Sequence, residues 1–136
     1  GIEVNMNVLA GNGLAGIVIS VSEHSSTVRA IIDDASNVSA KFAVTSDICN
    51  VAGDLTLMND GRIRVEDISK TAEVFDGYTL VTSHTSSKFL PGILIGYVSE
   101  ITIDANNLTK SGYVTPVVDF EHLEYVLVIT EQKQEE

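Results

Sequence analysis

The stretch Gly13–Asp33, GLAGIVISVSEHSSTVRAIID, decides the fold class. Ile17, Ile19 and Val21 alternate with Val18, Ser20 and Ser22. One side stays apolar while the other fades to polar, which is the period-two pattern of a half-buried strand. Glu23–Ser26 supplies a short polar turn, and Thr27–Ile32 resumes in strand-favouring residues. The same style continues on both sides. Asn37–Val44 follows the Asp33–Ser36 turn, and Gly53–Met58 and Arg62–Ile68 flank Asn59–Asp60–Gly61. An Asp-Gly pair between two such runs signals a hairpin.

After a pause at Ser69–Gly77, strands are predicted at Tyr78–Ser83, Ile93–Ile103, Tyr113–Phe120 and Tyr125–Thr130. In Ile93–Ile103 the odd positions form an apolar face interrupted by Ser99, and Gly96 marks a bend or a close backbone approach. Asp119–Leu123 suits one helical turn capped by Asp119. No helical crossovers separate the runs, which argues against a parallel α/β fold. The expectation is an all-β chain of two small β-barrel subdomains packed side by side, at 13–74 and 75–130. A linker with an entering strand occupies 1–12, and a disordered polar tail occupies 131–136.

The 136 residues are 44% hydrophobic and 20% charged, enough apolar material for a packed core. Net charge is −11, with only 8 Lys and Arg residues. Duplex binding gains its affinity from cations that displace counterions, so nucleic acid is excluded as a partner class. An anionic membrane surface would also repel this chain. Cys49 is the single cysteine, so no internal disulfide can form, and its neighbours Ile48 and Val51 suggest a core residue. No run reaches the ~20 apolar residues of a membrane-spanning helix.

Val81–Gly96, VTSHTSSKFLPGILIG, raises the question of serine catalysis, because Ser83, Ser86 and Ser87 stand near His84. That chemistry needs a serine on a tight exposed turn, a base within reach, an orienting acid and an oxyanion hole. The chain has no G-x-S-x-G elbow, and Ser83 and His84 would point to opposite faces of a strand. The other histidines, His24 and His122, are scattered, and no zinc, calcium-loop or phosphate-loop spacing occurs. Asp33–Asp34 and Glu66–Asp67 suit solvated turns. No catalytic, metal or cofactor set is therefore assigned. What the sequence offers is strand edges and an apolar turn at Phe89, Leu90 and Pro91, the candidate partner-binding patch. The rival readings are a serine hydrolase using those serines and a small peptidoglycan-binding β module.

Taken in order, these residues resemble the extracytoplasmic β domain of the MreC rod shape-determining family. The family's N-G-L-x-G-x-V, its V-S, its serine-rich turn and its V-x-x-I-x-D fall on Asn12–Gly13–Leu14, Gly16, Val18, Val21–Ser22, Ser25–Ser26, Val28, Ile31 and Asp33. A second segment falls on Val81–Thr82–Ser83, Phe89, Pro91–Gly92–Ile93, Gly96 and Val98. The family's closing strand falls on Leu123–Val128. The resemblance implies a β module without catalytic activity or cofactor, its two barrels placed somewhat like those of chymotrypsin-like proteases but lacking the triad. It implies a scaffold of cell-wall elongation that binds MreD and penicillin-binding transpeptidases, self-associates, and couples to the actin-like MreB. It also implies a location on the extracytoplasmic face of the bacterial membrane, held by a single span and a coiled coil outside this fragment. One departure stands out, because His84 takes a position where the family usually has glycine.

Overall fold

The computed structural model describes residues 1–120 and 127–129. The strands run, in chain order, β1 (Asn7–Ala10), β2 (Gly13–Val21), β3 (Ser26–Ala30), β4 (Asn37–Phe42) and β5 (Ile48–Ala52). They continue as β6 (Ile63–Ser69), β7 (Thr79–Thr82), β8 (Leu94–Ile103), β9 (Thr109–Pro116) and β10 (Leu127–Ile129), with a 3-10 turn at Leu55–Asp60 before β6. The all-β architecture expected from the sequence is the one found. Residues 121–123 of the helical turn expected at Asp119–Leu123, residues 125, 126 and 130 of the expected last strand, and the tail at 131–136 lie outside the described residues.

Six strands close on themselves in the order β8-β7-β4-β5-β6-β9, and β9 pairs back onto β8. Closure removes free edges by giving each strand two neighbours. Three of these strands come from 13–74 and three from 75–130, so the two stretches build this barrel jointly. Its core holds Phe42, Leu14, Ile31, Ile63, Ile68 and Leu80, each fully buried. Burying side chains of this size stabilises the fold by roughly 1.5–3 kcal/mol each.

A second sheet leans against the barrel. β1 pairs with β2 and β10, β3 pairs with β2, and β2 meets β8 through one parallel bridge at Gly13 and Leu94. It has its own small core of Met6, Val8, Ala10, Ala15, Val18 and Val118. β2 is the wall between the two cores. Leu14 and Ile17 face the barrel, while Ala15 and Val18 face the second cluster. This differs from the half-buried strand read from Gly13–Asp33. A bulge at Ile19 shifts the register between Val18 and Ser20, and beyond it Ile19 and Val21 are exposed.

The run Gly53–Met58 also differs from its expectation. The strand lies earlier, at Ile48–Ala52, and Cys49 is a buried residue within it. Gly53 passes so close to the carbonyls of Ile31 and Asp33 that a side chain there would collide with backbone. Asp54 then accepts hydrogen bonds from the amide and hydroxyl of Thr56, which bends the chain into the 3-10 turn. The same bonds hold the Asp54 carboxyl below its ordinary pKa. Gly96 is the close approach that its position suggested: an added Cβ would strike the carbonyl of Thr115 on β9.

Candidate protein-docking loop

The loop from Ser83 to Gly92 joins β7 to β8, and the hydroxyls of Ser83, Thr85 and Ser86 are used in building it. Ser83 Oγ accepts from the Thr85 amide at 3.1 Å and shares a hydrogen bond with Thr85 Oγ1 at 2.9 Å. Thr85 Oγ1 also meets Ser39 Oγ of β4 at 2.8 Å. Ser86 Oγ accepts from the amides of Lys88 and Phe89. Thr82 Oγ1 donates to the Leu90 carbonyl at 2.6 Å and accepts from the Ile93 amide at 2.8 Å, pinching the far end shut. Short hydroxyl side chains do this well because they reach backbone groups two or three residues away.

A buried amide fastens the loop to the second sheet. Asn7 of β1 has no exposed surface. Its Nδ2 donates to the Lys88 carbonyl at 3.0 Å, and its Oδ1 accepts from the Leu90 amide at 2.8 Å. The turn at the tip follows from Pro91 and Gly92, since proline presets its own φ and Gly92 adopts φ +81° without steric cost. The loop is thus a platform spanning both sheets.

On that platform the three expected contact residues separate. Phe89 is buried at 6% exposure and belongs to the barrel core. Leu90 is half-buried, and Pro91 is exposed. Ser83 is fully buried and the adjacent His84 is exposed, because the chain turns at Ser83–Ser86, where the Ser86 amide donates to the Ser83 carbonyl. Among the described residues, no group of three or more His, Cys, Asp or Glu side chains could hold a metal ion. Burial, reinforced by the charges of Asp67 and Asp47, pushes the Cys49 thiol up to about 12, far from the thiolate a nucleophile needs.

Charged pairs lie on the outside of the barrel. Arg62 pairs with Glu100 across β6 and β8 and stacks over the Tyr113 ring at 4.1 Å. Arg64 meets Glu66 at 3.1 Å. The sequence reading passed over one exposed aromatic, Phe75, which sits in the pause at Ser69–Gly77 and is 63% exposed. The single aromatic of that pause, set between Glu73–Val74 and Asp76–Gly77, was the available signal.

A closed barrel, an adjoining sheet that shares β2 with its core and a loop tethered to both define the chain as an all-β module. The family model of the rod shape-determining protein MreC, barrel core, matches residues 1–130, and the chain belongs to that family. The cell shape-determining protein MreC of Haemophilus influenzae is 24% identical over 129 residues, covering 95% of this chain and 36% of that protein. The chain therefore spans well under half the length of that relative. A solved MreC structure from Listeria monocytogenes superposes with a TM-score of 0.87 at 24% identity, over 99% of this chain and 66% of that one. A solved complex between penicillin-binding protein PBP2 and MreC from Helicobacter pylori contains a similar chain. The match has a TM-score of 0.74 at 18% identity, over 94% of this chain and 80% of that one.

Proposed function

We propose that this chain is the extracytoplasmic β domain of a cell-shape scaffold, without catalytic activity, that organises peptidoglycan synthesis by binding other proteins. The observation that carries this reading is the Helicobacter pylori complex, in which a member of the family is bound to a penicillin-binding protein. The partners are penicillin-binding transpeptidases and MreD, together with other copies of the same protein. A single span and a coiled coil outside this fragment hold it at the outer face of the cytoplasmic membrane. The half-buried Leu90 and exposed Pro91 form the contact, with Phe89 beneath them as the anchor that keeps the turn in shape.

The test is a titration of this domain with the extracytoplasmic part of an elongation transpeptidase from the same cell, at low and high salt. Saturable binding is expected, and Leu90→Glu weakens it about tenfold while leaving the circular dichroism spectrum unchanged. Weak salt dependence marks apolar docking, and strong dependence marks steering by the −11 charge. No binding at either salt sinks the transpeptidase assignment.

A further inference from the structure

β8 is ten residues long and β7 only four, so β8 outruns its neighbour. The β7–β8 pairing ends at Thr79 and Tyr97, with backbone bonds continuing only as far as Gly77 and Val98, whose carbonyl accepts from the Gly77 amide at 2.7 Å. Beyond that point β8 is paired on one side alone, to β9. The Asp104 amide donates to the Thr109 carbonyl of β9 at 2.9 Å. In an antiparallel ladder, alternate residues turn their backbone groups toward the same side. Thr102 therefore also faces β9, while the N–H and C=O of Ile101 and Ile103 point away from it. The Ile101 amide is met by Asp76 Oδ1 at 3.3 Å. Ile103 leaves a short open edge.

A groove of about 560 Å³ runs beside this edge, lined by Val74, Phe75, Ile101 and Ile103 together with Asp76 and Lys110. Two of its apolar walls are out in solvent, Phe75 at 63% exposure and Ile103 at 55%, while Val74 is buried and Ile101 half-buried beneath them. The charge around it is acidic on balance. Lys110, whose ammonium donates to the Ala72 carbonyl at 2.9 Å, is outnumbered by Asp76 on the groove and the exposed Glu73 beside Val74. A second copy of the chain would bring a further −11, so charge argues against self-pairing here.

We infer that this groove and the free edge of β8 dock an extended segment of a different protein, one with alternating apolar and basic side chains. The segment adds as a strand along Ile101–Ile103, seats its apolar side chains between Phe75 and Ile103, and places its cations near Asp76 and Glu73. β8 begins just beyond the Leu90–Pro91 turn, and its ten residues put the two surfaces roughly 30 Å apart. Both can be occupied at once, which gives the domain a bridging geometry that does not depend on which partner takes the loop.

The test uses an isotope-labelled domain titrated with a capped octapeptide of alternating valine and lysine. Saturable amide shifts are expected at Phe75, Ile101, Ile103 and Asp104. Phe75→Ser and Ile103→Lys, both at exposed positions, should each weaken binding about tenfold without altering the rest of the spectrum. N-methylation of alternate peptide bonds should abolish it, because strand addition needs those N–H groups. The inference is overturned if the groove amides do not shift. Equal binding there by a serine–lysine or valine–aspartate octapeptide overturns it too, as do concentration-dependent shifts at the same amides without peptide, which would mark self-association. None of these outcomes bears on the transpeptidase titration, which reads the loop.

Discussion

The barrel and the sheet beside it solve the edge problem differently. The barrel is closed, with a core that draws on all six strands. The second sheet stays open among the described residues: β3 pairs with β2 alone, and Val28 on it is 41% exposed. Among the described residues its core has six buried side chains, two of them on β2, which it shares with the barrel. The open sheet therefore holds its place through strands shared with the barrel and the Asn7 tether. The difference teaches that the larger share of the buried core lies in the closed barrel, with the open sheet leaning on it.

The largest test of that division compares the two cores. Phe42→Ala should cost the barrel about 3–5 kcal/mol in urea unfolding, and Val8→Ala in the smaller core about 2 kcal/mol. Equal losses would mean that the two cores do not differ in weight. An intermediate effect is expected at the tether. Asn7→Ala strands the Lys88 carbonyl and the Leu90 amide, at about 1–3 kcal/mol, and hydrogen exchange at Leu90 should accelerate more than at Leu80. Uniform acceleration would show that Asn7 supports the whole fold instead of the loop.

The smallest effect concerns the turn between β8 and β9. Hydrogen bonds from Ser111 and Thr109 hold the Asp104 carboxyl below its ordinary pKa. A depressed folded-state pKa contributes stability that is present above the unfolded value of about 4 and is lost as pH falls through the folded one. Ser111→Ala should thus lower the melting temperature slightly at pH 7 and make no difference once Asp104 is protonated. A gap that persists in acid would remove Asp104 from the account.

Much of this was legible in short patterns. Alternation marked β4, β6, β7 and β8 to within a residue or two, and the glycine at 96 announced the contact with Thr115. The order of three motif segments pointed to the family. Local pattern failed where a contact from far along the chain intervened. At Gly53 the carbonyls of Ile31 and Asp33 forced a turn into a run that reads as a strand. At Phe89 the barrel core claimed a side chain that a polar loop seemed to offer to solvent.

What the sequence determined by itself is the all-β character and the chemistry of the turns, because both follow from neighbours a few residues apart. Only the tertiary structure decided which strands close the barrel, because pairing β4 with β7 and β6 with β9 joins residues roughly forty to fifty positions apart. It also decided that β2 buries both faces and that β8 outruns β7. Those outcomes depend on relative strand lengths and on what packs across each face, which no local period records.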